Sequence, residues 1–279
     1  MFFRNYSKPG KGVNKRDPNL PRRKVFFDIL PRNIWKLVKL NLLYWLYLIP
    51  FFIVTMLLSG IISAQFINSF AMESGVTLTN DVIVKYDLLI RFCVSFLFTV
   101  FLGQGPATSA MTFIVREYGM ENNCWLISDF FDRFKSNFKQ GILLWFLDLL
   151  VIFGGFIAIT FYVKTGIFPV ALFVVALINI YIIAHIYLYL MMVTYDLKLK
   201  DLLKNSVLIA LGKLPQSLII LLSMLVVYAV IPYLALMFGK GLIFIVVLIA
   251  ELIFIPTITA FTVNFSINPM LDKYVKIDE

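Results

Sequence analysis

Three ionisable side chains lie within long apolar segments of the sequence, where a charged group costs at least ~2 kcal/mol. They are Asp148, Glu251 and His185, the only histidine of the chain, and Gln104 and Asn179 add neutral polar groups in such segments. Residues of this kind usually face the interior of a helix bundle. The pattern predicts a polar and protonatable site within the membrane, or alternatively hydrogen bonds that only hold neighbouring helices together.

Two of the apolar segments carry residues that interrupt a helix. In the run Gly103-Gln104-Gly105-Pro106, the proline leaves the carbonyl of Leu102 without its helical donor, and both glycines loosen the backbone. Pro256 does the same to the carbonyl of Leu252. A broken helix at membrane depth is tolerated where it lines a cavity or packs against protein. The sequence therefore predicts either a cavity or two packing kinks at these positions.

Signatures of catalysis and of metal binding are missing from the sequence. There is no glycine-rich phosphate loop, no G-x-S-x-G and no H-E-x-x-H, and no second histidine or cysteine stands at metal-ligand spacing from His185. We therefore expect no catalytic residues, no cofactor and no metal site, and we interpret the protein as a non-enzyme.

The composition determines the class of fold. Hydrophobic residues make up 61% of the 279 residues and charged residues 15%, whereas globular domains are about one quarter charged. The apolar residues form runs of about 20 residues, the length that spans a bilayer as a helix. The sequence predicts an all-α, polytopic membrane bundle of about six spans. These are 41–64, 91–114, 141–162, 168–193, 216–237 and 241–264.

Basic residues predict the orientation. The segment 1–39 carries eleven Lys or Arg against two Asp, and the two tails with loops 115–140 and 194–215 hold 21 of the 25 basic residues. By the positive-inside rule, both termini are cytoplasmic in the cell membrane. We divide the chain into a basic tail with an interfacial helix (1–40), a transmembrane domain (41–264) and a C-terminal tail (265–279). The bilayer accounts for the net charge of +9, so nucleic acid is not expected as a partner.

Amphipathic segments precede the spans on the predicted cytoplasmic side. They cover 22–40, about 125–140 and about 197–212, and each spaces its apolar residues as one face of a helix. They are interpreted as helices that anchor on the lipid surface, or alternatively as a docking surface for a cytoplasmic partner. The docking candidates of the second segment are Phe130, Phe131, Phe134, Lys135, Phe138 and Lys139.

Two similar heptapeptides indicate an internal repeat. Residues 106–112 read P-A-T-S-A-M-T and residues 256–262 read P-T-I-T-A-F-T. Both heptapeptides lie in spans that run inward in the predicted topology, so the repeat would be parallel and not inverted.

Short motifs along nearly the whole chain resemble YesL-like bacterial membrane proteins, a family with a domain of unknown function. The matching residues are Tyr6-x-Lys8-Pro9-Gly10-x-Gly12-Val13, Trp35-Lys36-Leu37-x-Lys39-Leu40-Asn41-Leu42, Gly105-Pro106-Ala107-Thr108, Asp129-Phe130-Phe131-x-x-Phe134-Lys135-x-Asn137-Phe138-Lys139-Gln140, Leu203-Lys204-Asn205-Ser206 and Leu214-Pro215. The resemblance implies a Gram-positive source and an association with carbohydrate import systems of the ATP-binding-cassette type. It carries over no catalytic residues.

Two functions follow as expectations. The first is an accessory subunit or regulator of a carbohydrate importer, with the importer's permeases and ATPase as partners. The alternative is a small autonomous transporter or channel that uses Asp148, His185 and Glu251. A membrane scaffold or sensor acting through its basic tail is a third interpretation, and the oligomeric state is left open.

Overall fold

The computed structural model describes residues 20–74, 79–238 and 241–274, and this part of the chain is helical with no strand. Segment 1–19 of the predicted basic tail and segment 275–279 of the C-terminal tail lie outside it. Thirteen α-helices are described. They are α1 (Arg22–Leu58), α2 (Gly60–Ser74), α3 (Asn80–Phe101), α4 (Pro106–Gly119), α5 (Leu126–Ser136), α6 (Phe138–Leu149), α7 (Gly155–Lys164), α8 (Phe168–Thr194), α9 (Leu199–Gly212), α10 (Leu214–Leu225), α11 (Ile231–Phe238), α12 (Gly241–Ile253) and α13 (Ile255–Tyr274).

The predicted bundle of spans is confirmed. Four described helices are long and apolar enough to cross a membrane, and the number rises to six if each of two bent pairs is one span. The bent pairs are α3 with α4, at 47°, and α12 with α13, at 53°. One π-helical turn joins α6 to α7 (Leu150–Gly154) and another joins α10 to α11 (Val226–Val230).

The amphipathic segment 22–40 is not a separate surface helix, which corrects the sequence-based division at residue 40. It continues into the first span, and Arg22–Glu73 forms 52 residues of helix, about 78 Å long at 1.5 Å per residue. Pro31 and Pro50 do not end it. The segment stays continuous because its apolar stripe (Ile29, Leu37, Leu40) is buried against other helices of the protein and not against lipid.

Helix α4 is the most enclosed element at the end of the molecule where α1 begins. Ten of its residues are buried, and α1, α5, α8 and α13 pack around it. Its contacts with α1 run antiparallel, from Tyr44 beside Thr108 to Lys36 over the ring of Tyr118. Helix α13 also runs antiparallel to α1, from Thr257 beside Leu37 to Phe265 beside Arg22. The second halves of both bent spans are therefore held together by the first half of α1.

The two similar heptapeptides occupy equivalent places in these bent spans. Pro106 is the first residue of α4, and Pro256 is the second residue of α13. Helices α4 and α13 also pack against each other. Each of the two similar heptapeptides therefore lies at the beginning of the helix that follows a break.

Candidate functional site

The break between α3 and α4 is built by glycine backbone geometry. Gly103 has φ +81° and Gly105 has φ +56°, values in the left-handed region that L side chains rarely adopt. Gly105 also lies against Gly141 in the first turn of α6, where a Cβ added to Gly141 would stand 2.8 Å from the backbone nitrogen of Pro106. The predicted helix break is confirmed, and the sequence needs glycine on both sides of this contact.

Side chains of α4 and α8 accept hydrogen bonds from the backbone N–H groups that this break leaves without helical partners. The N–H of Gln104 donates to the hydroxyl of Thr108 at 2.6 Å, and the N–H of Gly105 donates to the hydroxyl of Tyr189 at 3.0 Å. The hydroxyls of Thr108 and Tyr44 are hydrogen-bonded at 3.1 Å. The break is therefore fixed to α8 and to α1, as buried polar backbone requires.

The side chain of Gln104 bridges α3 and α6. Its amide nitrogen donates to the hydroxyl of Thr99 at 2.7 Å, and its oxygen accepts from the indole N–H of Trp145 at 2.8 Å. All three side chains are buried. A fully satisfied polar group of this kind holds the helices in one register.

Asp148 and His185, both predicted as site candidates, form a buried pair between α6 and α8. The imidazole Nε2 lies 3.0 Å from Oδ1 of Asp148, and the hydroxyl of Tyr181 donates to the same oxygen at 2.5 Å. Among the described residues, no group hydrogen-bonds to Oδ2 of Asp148. Both side chains are almost fully buried. A carboxyl and an imidazole in this contact can share one proton and so avoid a net buried charge.

The break between α12 and α13 is satisfied by α1. The carbonyl of Leu252, which Pro256 deprives of its helical donor, accepts from the amide of Asn41 at 2.6 Å and from the indole N–H of Trp45 at 2.8 Å. Asn41 donates also to the carbonyl of Ile253 at 2.8 Å. The predicted loss of the helical donor to Leu252 is confirmed, and donors from the opposite end of the sequence replace it.

A cavity of about 100 Å³ lies between the two breaks. A water molecule needs about 10–15 Å³ of such volume, so several waters fit. The polar groups that line it come from α1, the end of α3, α4, α8, the π-helical turn Val226–Val230 and α13. They are Tyr44, Trp45, Thr99, Thr108, Thr112, His185, Tyr189, Tyr228, Thr259 and Asn264. The rest of the lining is apolar and makes up most of it, so both bent helix pairs border a largely apolar space that carries several polar groups.

Two other site candidates do not join this cluster. Asn179 is exposed and donates to the carbonyl of Val175 in its own helix, so the prediction that it belongs to the polar site is corrected. Glu251 is buried, but it does not line the cavity, and neither carboxyl oxygen has a hydrogen-bond partner among the described residues. The structure brings together Asp148 and His185, bonds Gln104 to Trp145 on the same helix as Asp148, and leaves Glu251 apart.

The phenylalanines of α5, Phe130, Phe131 and Phe134, pack against α1 inside the protein. This finding corrects their assignment to a docking surface. The ring of Tyr47 in α1 lies 5.5 Å from Phe130, 5.1 Å from Phe131 and 5.5 Å from Phe134. These rings pack there because α5 turns back along α4. Only Lys135, Phe138 and Lys139 of the candidates remain exposed.

Sequence reasoning missed several members of the cluster. Tyr44 and Trp145 were not recognised as buried hydrogen-bonding residues, and Tyr181 and Tyr189 were not considered. A signal existed in α8, because Tyr181, His185 and Tyr189 recur every four residues and therefore share one face of the helix. No group of three or more metal-binding side chains occurs within the described ranges.

The fold and the cluster define a multi-pass helical membrane protein with two bent helix pairs around a cavity that carries several polar groups. Residues 37–161 match the family model described as "Protein of unknown function, DUF624", which is the family of the YesL-like proteins. The match covers less than half of the chain and agrees with the resemblance. The motifs at 203–206 and 214–215 lie beyond the matched residues. No curated protein and no solved structure matches the chain.

Proposed function

We propose that this protein is a non-enzymatic membrane transporter or channel, and that the polar groups of its cavity bind a small polar solute or ion. The observation that carries the proposal is the cavity itself, which borders both broken spans and the His185 side chain. Interrupted helices at a polar site are the usual construction of binding sites in secondary transporters. In this proposal His185 meets the solute, and Asp148 holds the imidazole in place from behind.

Water access to the cavity is the first test. In a background with Cys93 and Cys124 replaced by serine, T112C places a thiol at the cavity, whereas S109C places one on the same helix at a buried position that does not line it. We expect a small membrane-impermeant methanethiosulfonate reagent to label T112C at least tenfold faster than S109C. Equal labelling of the two thiols would remove the basis for a solute site.

Flux is the second test. Purified protein in liposomes is assayed for proton movement with trapped pyranine and for uptake of labelled glucose, galactose and xylose. We expect one of these fluxes above that of empty liposomes, with at least a tenfold reduction in H185Q. The matched control is N179A, which changes a polar residue of the same helix outside the cavity. If the wild-type protein moves none of these solutes, the proposal is contradicted for all of them.

A second proposal is an accessory role in a carbohydrate importer, as the family resemblance implies, in the cell membrane with both termini cytoplasmic by the positive-inside rule. Helix α9 favours it, because Lys200, Lys204, Leu208 and Leu211 follow one another at helical spacing and are exposed, the two leucines at 58% and 49%. Purification from native membranes should retain the importer's permeases or ATPase. The variant L208S/L211S should lose them, and recovery of the protein alone would reject this role.

A further inference from the structure

A groove of about 920 Å³ opens between α1 and α5, at the end of the molecule where α1 begins. Its walls combine two exposed lysines, Lys36 and Lys39, with the side chains of Trp125 and Ile127. Trp125 is 80% exposed and Ile127 is 65% exposed, so the apolar wall is open to the surroundings. The residues that complete the lining are Tyr118, Cys124, Leu126 and Ser128.

The charge of this groove is positive. None of its lining residues is acidic, and neither lysine forms a salt bridge within the described part of the chain. Lys36 lies 5.3 Å from the ring centre of Tyr118, a cation–π contact that holds its ammonium group at the groove. Two carboxylates near the groove have hydrogen-bond partners in the protein. Asp129 accepts from the backbone N–H of Trp125, and Glu117 contacts Arg116 and Asn122.

The position of the groove matches the boundary of a bilayer. Trp35, on the same segment of α1 as Lys36, is also exposed, and exposed tryptophans together with lysines mark the level of lipid headgroups. The groove therefore has cationic groups for a phosphate beside an apolar wall for an acyl chain. Segment 1–19 of the chain carries five Lys or Arg against one Asp, so like charge disfavours this segment as the occupant.

We propose that the groove between α1 and α5 binds one anionic phospholipid, with its phosphate on Lys36 and Lys39 and its acyl chain along Trp125 and Ile127. The assignment is independent of the transport proposal. It rests on charge, exposure and the shape of the groove, whereas transport rests on the cavity between the two breaks.

The test is native mass spectrometry of the full-length protein, titrated with phosphatidylglycerol or phosphatidylcholine. We expect wild type to retain one phosphatidylglycerol at a concentration at least tenfold lower than phosphatidylcholine. K36Q/K39Q should weaken phosphatidylglycerol binding about thirtyfold, since a basic residue near an anionic surface contributes ~1 kcal/mol. W125A should weaken the binding of both lipids. The matched control is K85Q/K164Q, which removes the same charge from two exposed lysines at the opposite end.

Three results would overturn the assignment. The first is equal affinity of the wild type for the two lipids. The second is an unchanged preference for phosphatidylglycerol in K36Q/K39Q that stays folded by circular dichroism. The third is displacement of the lipid by millimolar inorganic phosphate, which would indicate a site for a free anion.

Discussion

The two broken spans bend by similar angles but satisfy their backbones in different ways. The α3–α4 break uses two glycines with positive φ, and the side chains of Gln104, Thr108 and Tyr189 are hydrogen-bonded there. The α12–α13 break has no glycine between its two helices, and its exposed carbonyls take their donors from α1. One turn before it, Glu251 is buried, and its carboxyl oxygens have no partner among the described residues.

The first break combines glycine backbone geometry with hydrogen bonds from α4 and α8, whereas the second has no glycine and takes its donors from α1. The shape of the first break therefore requires glycine at positions 103 and 105. The second depends on Asn41 and Trp45, so its shape depends on where α1 lies. The carboxyl group of Glu251 lies one turn before the α12–α13 break. A buried polar group without a hydrogen bond lowers the stability of the protein.

The largest loss of stability is expected from Asp148→Leu. This change removes the carboxyl oxygen that accepts from Tyr181 and contacts His185. Breaking a buried pair by removal of one partner costs about 3–5 kcal/mol. We expect a loss of this size in the unfolding free energy, measured by SDS titration in mixed micelles. A loss below ~1 kcal/mol would mean that the pair does not support the first break.

Gly105→Ala tests whether the first break is fixed by its backbone. A side chain at φ +56° is strained, and its Cβ would stand 3.0 Å from the carbonyl oxygen of Gly141. Together these effects should lower the unfolding free energy by about 2–3 kcal/mol. In the control Gly154→Ala, the added Cβ meets nothing within 4 Å, and stability should stay the same or rise. Equal stability of the two variants would contradict the glycine argument.

Asn41→Leu tests the dependence of the second break on α1. The change removes one of two donors to the Leu252 carbonyl and the donor from Asn41 to Ile253, at a cost of about 2 kcal/mol. Trp45→Phe removes one donor to Leu252 and leaves the bond from Asn41, so we expect about 1 kcal/mol. The same SDS titration measures both variants. The reverse order of the two losses would show that Trp45, and not Asn41, holds the break.

The smallest effect, and one of opposite sign, is expected from Glu251→Met. Because neither carboxyl oxygen has a partner within the described ranges, replacement by an apolar group of similar length should raise the unfolding free energy by about 1 kcal/mol. Asp148→Leu changes the same kind of group where partners exist, so the two variants should differ in sign. A destabilised Glu251→Met would reveal a polar contact at the second break.

The spans were predictable from the sequence because an apolar run long enough to cross a bilayer leaves few alternatives to a membrane helix. The unsatisfied carbonyl of Leu252 was predictable as well, since it follows from the chemistry of Pro256. The donors that satisfy it were not, because Asn41 and Trp45 lie near the other end of the chain. The continuity of α1 past residue 40 was missed for a similar reason. Its apolar stripe is the same whether lipid or α4 covers it.

The candidate site was predicted in part. Asp148, His185 and Gln104 were identified because polar residues in apolar runs are expensive, and this argument needs no knowledge of neighbours. Asn179 and Glu251 satisfy the same argument, yet the former is bonded within its own helix and the latter has no hydrogen-bond partner in the described part of the chain. Whether two such residues meet depends on the rotation of each helix, which a nearly uniformly apolar segment such as α8 does not reveal.

Helix α1 contacts both breaks, through Tyr44 at the first and through Asn41 and Trp45 at the second. It continues into α2 as one helix of 52 residues, whose backbone hydrogen bonds resist stretching. Because one continuous helix contacts both breaks, a displacement of α1 along its axis would change the surroundings of both breaks at once.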